Sequence, residues 1–257
     1  MLSAAAPGRR AAKDRAGRDL ADHREKTDRI IIRHLEIPGT AGFSEMSRYL
    51  AFISPERRAR IEKFRFEKER LTSLFAELLL RMMLSEYMDL TEADIQFCEG
   101  EHGKPFLAQR KGAGSGHGAD VQFSLSHSGR QVAAAVCRQA VGLDLEILRP
   151  GDPGIADRFF LPEEAAYIRE AEDRNIAFFR IWTRKEAYIK KTGEGLSRDL
   201  RSFSVLEDGP LRNCCLSFQT GSAMISVCAD SLSAEKVLFS QTDYREVLAH
   251  FDRPESE

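Results

Sequence analysis

Asp144 and Glu146 stand two residues apart in Val141-Gly-Leu-Asp-Leu-Glu146. An extended strand sends alternate side chains to opposite faces, so Leu143 and Leu145 turn inward and the two acids share the other face. Neighbouring carboxylates repel each other, and either water screens them or a cation sits between them. Magnesium is typically held by one or two carboxylates together with the oxygens of a substrate phosphate. A solvated strand face is the competing reading of the same stretch.

A second group lies in Trp182-Thr-Arg-Lys-Glu-Ala-Tyr-Ile-Lys190. On a helix Trp182, Glu186 and Lys190 recur every fourth residue and line one side. A glutamate four positions before a lysine is also an ordinary surface ion pair. Here the line carries the chain's single tryptophan, which argues for partial burial. A half-buried glutamate and lysine beside a metal would supply an acid/base group and a phosphate clamp. Phe123-Ser-Leu-Ser-His-Ser-Gly129 reads as a strand ending near Ser126 and a turn beyond it. Such a turn offers hydroxyls, an imidazole and free amides to phosphate oxygens; His127 as a plain turn residue is the alternative. A serine–histidine hydrolase is disfavoured, because adjacent residues of a strand point opposite ways. Gly103-Lys-Pro105 and the arginines Arg57, Arg58 and Arg60 add cations, neither group specific by itself.

These groups need elements to position them. Asp28 to Leu35 reads as a strand. Ser54-Pro55-Glu56 starts a basic helix reaching about Phe66, with serine as the cap and proline in the first turn. Leu71, Leu74, Phe75, Leu78, Leu79 and Met82 follow the 3.6-residue period and predict a long core helix to Tyr87. Residues 110–119 form a glycine-rich stretch without the order of a phosphate-binding loop, and are expected to be a flexible connector. Strands follow at Val121 to Ser126, Gln131 to Cys137 and Ala140 to Ile147, and Arg149 to Gly154 breaks the chain. Helical patterns then run from Pro162 to Glu172 and Ile176 to Lys191. Strand patterns come last, at Phe203 to Leu206, Leu211 to Gln219, Ala223 to Ala229 and Lys236 to Phe239. Helices followed by clustered strands, twice over, predict an α+β fold of two similar halves, 28–142 and 143–250. Residues 1–27 and 251–257 are expected to be tails, the first disordered. The first has no secretory apolar core, and its acids argue against a transit peptide.

The formal charge is −2, from 38 basic and 40 acidic residues, so no global field draws nucleic acid or an anionic membrane. The longest apolar run, Val132 to Cys137, is far short of the ~20 residues of a spanning helix. The 5 cysteines are odd in number and form no C-x-x-C. They argue against a disulfide framework or a zinc site and suit a reducing cytoplasm, with Cys137 and Cys228 as small buried apolar residues.

Taken in order, Phe52-Ile-Ser-Pro-Glu-Arg57, Gly103-Lys-Pro105, Phe-Ser-Leu-Ser-His-Ser128, Val-Gly-Leu-Asp-Leu-Glu146, Trp182 to Lys190 and Gly193-Glu-Gly-Leu196 resemble the Sfp-type 4′-phosphopantetheinyl transferases. The resemblance covers roughly Ile30 to Phe239. It implies a monomer of two pseudo-twofold-related α+β halves with the active site between them. It also implies transfer of phosphopantetheine from coenzyme A to a serine of an apo acyl or peptidyl carrier protein, with Mg²⁺, releasing 3′,5′-ADP. By motif, Asp144 and Glu146 would hold Mg²⁺ against the pyrophosphate. Glu186 would be a third ligand or the base for the incoming serine. Lys190 would neutralise the phosphate under attack. Lys104, Ser126 and His127 would hold the nucleotide, and Arg57, Arg60 and Ser73 its 3′-phosphate. Two departures stand out. The run Phe66 to Ser73 is one residue shorter than the family pattern, and Thr72 replaces an expected arginine, for which Arg70 is the substitute at hand. A carrier acidic around its serine would suit the cations near the cleft. A coenzyme A-binding relative without activity and a metal-dependent phosphohydrolase are the alternatives.

Overall fold

The periodic stretches of the sequence settle into β1 (Ile30–Glu36), α1 (Phe43–Met46), α2 (Pro55–Glu62), α3 (Glu67–Met88), β2 (Phe97–Glu99), β3 (Pro105–Leu107), β4 (Gln122–Ser128), β5 (Gln131–Cys137) and β6 (Val141–Ile147). They continue through α4 (Pro153–Phe159), α5 (Pro162–Glu170), α6 (Arg174–Thr192), β7 (Cys215–Thr220), β8 (Ala223–Ala229), β9 (Val237–Gln241) and α7 (Tyr244–Phe251). This computed structural model describes residues 29–100, 103–108, 121–151, 153–195 and 198–253. The expected N-terminal tail, the glycine-rich stretch 110–119 and Leu196 lie outside the described residues.

The fold is α+β. One sheet has the order β4-β5-β1-β9, a second the order β6-β8-β7, and β2 and β3 form a small ribbon. β1 pairs antiparallel with β5 and parallel with β9. Each main sheet carries a long helix, α3 on β4 and β5, and α6 on β6, β7 and β8. The apolar stripe of α3 is fully enclosed: Leu71, Leu74, Phe75, Leu78 and Leu79 are buried against Val132, Ala134 and Val136 of β5. Each such side chain contributes about 1.5–3 kcal/mol. The late elements β9 and α7 pack with the first sheet, β9 beside β1 and Val247 and Phe251 of α7 inside the α3 core.

Local signals explain the helix ends. Ser54 Oγ accepts the Arg57 amide at 3.2 Å and Pro55 opens α2. Asp173 caps α6 by accepting the Asn175 and Ile176 amides. Position 142 decides how α6 meets β6. A Cβ on Gly142 would lie 1.9 Å from the Ala187 carbonyl oxygen and 2.4 Å from the Lys191 amide nitrogen. Only glycine lets the helix backbone rest on the strand, and that close approach carries Glu186 and Lys190 over the acids of β6.

Three expectations are corrected. β4 continues past Ser126, since Ser128 still pairs with Gln131 of β5, and the turn is Gly129 and Arg130 alone. Gly129 has φ +63°, so the chain reverses tightly there, and His127 belongs to a strand rather than to a turn with free amides. Residues 203–206 form no strand. The buried Lys185 ammonium meets Glu164 at 2.8 Å and donates to the carbonyls of Leu200 and Phe203 at 2.7 Å each, while Glu164 accepts the Val205 amide at 3.0 Å. That segment's polar groups are satisfied by a buried ion pair instead of a ladder. Finally, Cys228 is not a free thiol: it faces Cys215 across β7 and β8, with Cα atoms 4.3 Å apart, in a disulfide. Register brings them together, which residue spacing does not reveal. Cys137 is a buried thiol as expected, its pKa pushed up to about 11 by burial.

Two predictions follow from this packing. Gly142→Ala forces α6 off β6 and costs about 3 kcal/mol or more, read as a lowered urea midpoint at unchanged slope. A second concerns His34, buried on β1, with Nε2 3.0 Å from Gln131 Oε1 and Nδ1 unpartnered. Burial lowers its pKa below the ordinary 6.5. The unfolded chain therefore binds the proton more readily, and stability falls as pH drops below about 6.5, down to the folded-state pKa. His34→Asn removes that share of the decline; identical midpoint-versus-pH curves for the two proteins would contradict the assignment.

Candidate active site

β4 of the first sheet lies alongside β6 of the second, and hydroxyls of one meet acids of the other. Ser126 Oγ donates to Asp144 Oδ1 at 2.8 Å, and Ser128 Oγ to Glu146 Oε2 at 2.8 Å. One pleat earlier, Ser124 Oγ accepts the Leu143 amide at 2.9 Å. The serines are alternate residues, so one face of β4 is a line of hydroxyls against β6. From α6, Lys190 Nζ reaches Asp144 Oδ1 at 2.7 Å and Ser126 Oγ at 3.0 Å.

Asp144 is thus buried, with one oxygen doubly engaged, and its Oδ2 is enclosed without a hydrogen-bond partner. Glu186 stands one turn before Lys190. Burial raises its pKa, the charges of Asp144 and Glu146 add to the rise, and Lys190 opposes it. Glu146 is raised in the same way, by burial first and by Asp144 next, against the Ser128 hydrogen bond. The three carboxylates of the notional magnesium set therefore sit within reach of each other's fields. Among the described residues no three His, Cys, Asp or Glu side chains are already gathered about one point. The donor set nevertheless fits a hard cation: all oxygen ligands, one of them a buried carboxylate oxygen lacking a partner, and a surplus of mutual repulsion.

His127 points away from Ser126, on the exposed face of β4. Protein crowds its ring, and that desolvation, with the positive Lys190 and Arg57, holds the imidazole below its ordinary range. No Ser126–His127 nucleophile pair forms. Arg57 Nη2 donates to Ser73 Oγ at 2.9 Å, and Arg57 Nε lies 3.4 Å from Glu77 Oε2. Arg60 pairs with Glu99 at 2.6 Å, both well exposed. Arg58 makes only a surface pair with Glu62. Thr72 Oγ1 donates to the Lys68 and Gly129 carbonyls, fastening α3 to the β4–β5 turn. Arg70 reaches the Arg65 carbonyl at 3.4 Å and lies over the Phe43 ring. Lys104 Nζ donates to the carbonyls of Val141 at 3.3 Å and Lys191 at 3.4 Å, at the last turn of α6, and burial lowers its pKa. It borders a cavity of about 200 Å³ that also touches Phe106, Gln122, Thr192 and Gly193. Trp182 stacks on Phe178 and fills core.

The structure brings together Asp144, Glu146, Glu186, Lys190 and Ser126, and separately Arg57 with Ser73. The sequence reading passed over Ser128, Ser124 and Glu77. The first two were signalled by the alternation of serines along β4; Glu77 looks like any helical glutamate until its burial between Arg57 and Arg81 is seen.

Comparison with known proteins agrees with this layout. Residues 140–244 match the 4′-phosphopantetheinyl transferase superfamily, and residues 40–139 match the 4′-phosphopantetheinyl transferase N-terminal domain. The chain is 35% identical over 169 residues to the 4′-phosphopantetheinyl transferase ffp of Bacillus subtilis, covering 64% of this chain and 72% of that protein. It is 34% identical over 163 residues to Sfp of Bacillus subtilis strain 168, covering 63% and 69%. The Bacillus pumilus enzyme psf-1 is 40% identical over 162 residues, covering 62% and 66%. Both halves matched in order, together with relatives of this closeness, mean that the chain belongs to the 4′-phosphopantetheinyl transferase superfamily and is an enzyme of that class.

Proposed function

We propose that this enzyme transfers the 4′-phosphopantetheine of coenzyme A to a serine hydroxyl of an apo acyl or peptidyl carrier protein. The observation that carries the reading is the seam of β4, β6 and α6. There an unpartnered buried carboxylate oxygen, two further acids and a lysine lie together. In the reaction the carrier serine oxygen attacks the phosphorus that bears the pantetheine arm. The bond from that phosphorus to the bridging diphosphate oxygen breaks, and 3′,5′-ADP leaves with the electron pair. Phosphoryl transfer of this kind needs positioning and charge neutralisation rather than a covalent enzyme intermediate.

Each residue then has a part. Asp144 and Glu146 would hold magnesium, which when bound offsets the charge of the diphosphate. Glu186 would either complete that set or take the serine proton, directly or through water. Its raised pKa suits a group that accepts a proton. Lys190 would place an ammonium on the phosphate under attack. Arg57 and Ser73 would receive the 3′-phosphate, with Arg60 joining them by exchanging Glu99 for the ligand. An exposed ion pair is worth little, so a phosphate dianion displaces it readily. His127, flanked electrostatically by Lys190 and Arg57, would lie along the nucleotide's phosphates. Lys104 would contribute its backbone and stem, its ammonium being engaged on carbonyls. One chain carries the set named here, so a monomer suffices.

The test is mass spectrometry of an apo carrier protein incubated with the enzyme, coenzyme A and Mg²⁺. A mass gain of one phosphopantetheine is expected. Phosphate release without that gain would indicate a hydrolase, and binding alone an inert relative. In the same assay Asp144→Ala is expected to lose transfer by about 10²-fold or more while keeping its circular dichroism; near-normal turnover would remove the metal assignment. For Lys190→Ala, kcat is expected to fall by about 10²-fold with a much smaller change in KM for coenzyme A. An effect confined to KM would place this lysine in ground-state binding.

A further inference from the structure

The hydroxyl line of β4 does more at its far end than the proposed reaction has used. Ser126 shares Asp144 Oδ1 with Lys190, whereas Ser128 meets Glu146 alone. Among the described residues, the Ser128 hydroxyl at 2.8 Å is the one short hydrogen bond that Glu146 receives; Arg149 stands off at 3.8 Å and is largely exposed. We propose that Ser128 is a positioning residue for Glu146. Its hydroxyl pins Oε2 and so turns Oε1 toward the cation that Asp144 and Glu146 share. The inference rests on the reading of those acids as holders of magnesium.

Two features of the geometry support it. Ser126–Asp144 and Ser128–Glu146 are both separated by 18 residues, so β4 and β6 run in the same sense and the two contacts repeat as rungs of one ladder. In the upper rung the serine holds Oδ1 and leaves Oδ2 without a partner. The lower rung repeats the pattern with Oε2. A glutamate also has more side-chain freedom than an aspartate, so it gains more from being pinned. Side chains that hydrogen-bond a metal-binding carboxylate typically change metal affinity 10–100-fold when removed.

Mn²⁺ serves as the probe, with free ion counted by electron paramagnetic resonance in the presence of saturating coenzyme A and no carrier. Ser128→Ala is expected to weaken Mn²⁺ binding by about tenfold or more, and Ser128→Thr, which keeps the hydroxyl, to restore most of it. In a Glu146→Gln background the alanine substitution is expected to add nothing. Should Ser128→Ala fail to fold, Ser128→Cys keeps the shape with a much weaker donor and carries the same expectation. Unchanged Mn²⁺ affinity in a folded Ser128 variant, alongside a loss in Glu146→Gln, overturns this inference and leaves the metal reading standing. Weakened coenzyme A binding with unchanged Mn²⁺ affinity would make Ser128 a ligand contact and overturns it too. If Glu146→Gln itself leaves Mn²⁺ affinity unchanged, the metal reading falls and this inference falls with it.

Discussion

Like charges have to be brought close together at this site, and the fold must hold them there against their own repulsion. Asp144 raises the cost of ionising Glu146, and both raise that of Glu186, in a place partly shielded from water. Nothing in a single strand or helix would keep them so. The structure offsets the repulsion from two sides: Lys190 supplies a cation on Asp144, and serines of a different sheet supply donors. These contacts engage Oδ1 of Asp144 and Oε2 of Glu146 and leave Oδ2 of Asp144 without a hydrogen-bond partner. A site arranged in this way is held by the fold against its own repulsion, and in the proposed reading an added cation would offset what remains.

Holding α6 at the correct height is the second requirement. Adjacent residues of that helix face very different surroundings. Lys185 is fully buried, on Glu164, two carbonyls and the rings of Phe160 and Phe203. Glu186, one residue on, faces the acids. A buried ion pair adds little net stability compared with apolar packing, but breaking it is costly, so it resists rotation of the helix. Thr183, bonded to Ser226 of β8 at 2.7 Å, and the bare backbone contact at Gly142 fix the same helix from below. The helix is therefore clamped in rotation by Lys185 and in distance by Gly142, and Glu186 and Lys190 inherit both constraints.

What could be read from the sequence was whatever has a local period. The stripe from Leu71 to Met82 specified a helix because every third or fourth residue had to be apolar, and alternation in Val141 to Glu146 placed both acids on one face. The spacing of Glu186 and Lys190 likewise put them on one side of α6. Where the pattern failed, long-range partners had taken over. Val205 and Phe203 have strand-forming side chains, yet their polar backbone groups go to Glu164 and Lys185, from a distant helix pair. β4 outlasts its turn-like sequence because Ser128 has a ladder partner in Gln131 and an acid in Glu146. Cys215 and Cys228 meet only because β7 and β8 have a particular register. Arg70, two residues before Thr72, lies over the ring of Phe43 and reaches the Arg65 carbonyl, contacts that its sequence neighbours do not announce. The partners that decide most of these choices, Glu164 and Lys185 for residues 203–205, Glu146 for Ser128 and Cys215 for Cys228, lie more than ten residues away in the sequence.

The seam also explains why the two matched regions go together. The acids belong to residues 140–244, and the serines that orient them to residues 40–139. Separated, the second region would keep its carboxylates on β6 but lose the Ser126 and Ser128 hydroxyls that bond them, leaving Lys190 on Asp144. The first would keep Arg57 and Ser73 but lose Asp144, Glu146 and Glu186. The late elements reinforce this dependence, since β9 and α7 return from the second region to complete the sheet and core of the first. In the proposed reaction cations of the first region would receive one end of coenzyme A, and acids of the second would hold the magnesium that offsets the charge of its diphosphate. The distance between those grips is set by the packing of β4 on β6, so the rigidity of that contact, more than the identity of any one charged residue, determines whether a single substrate can span both.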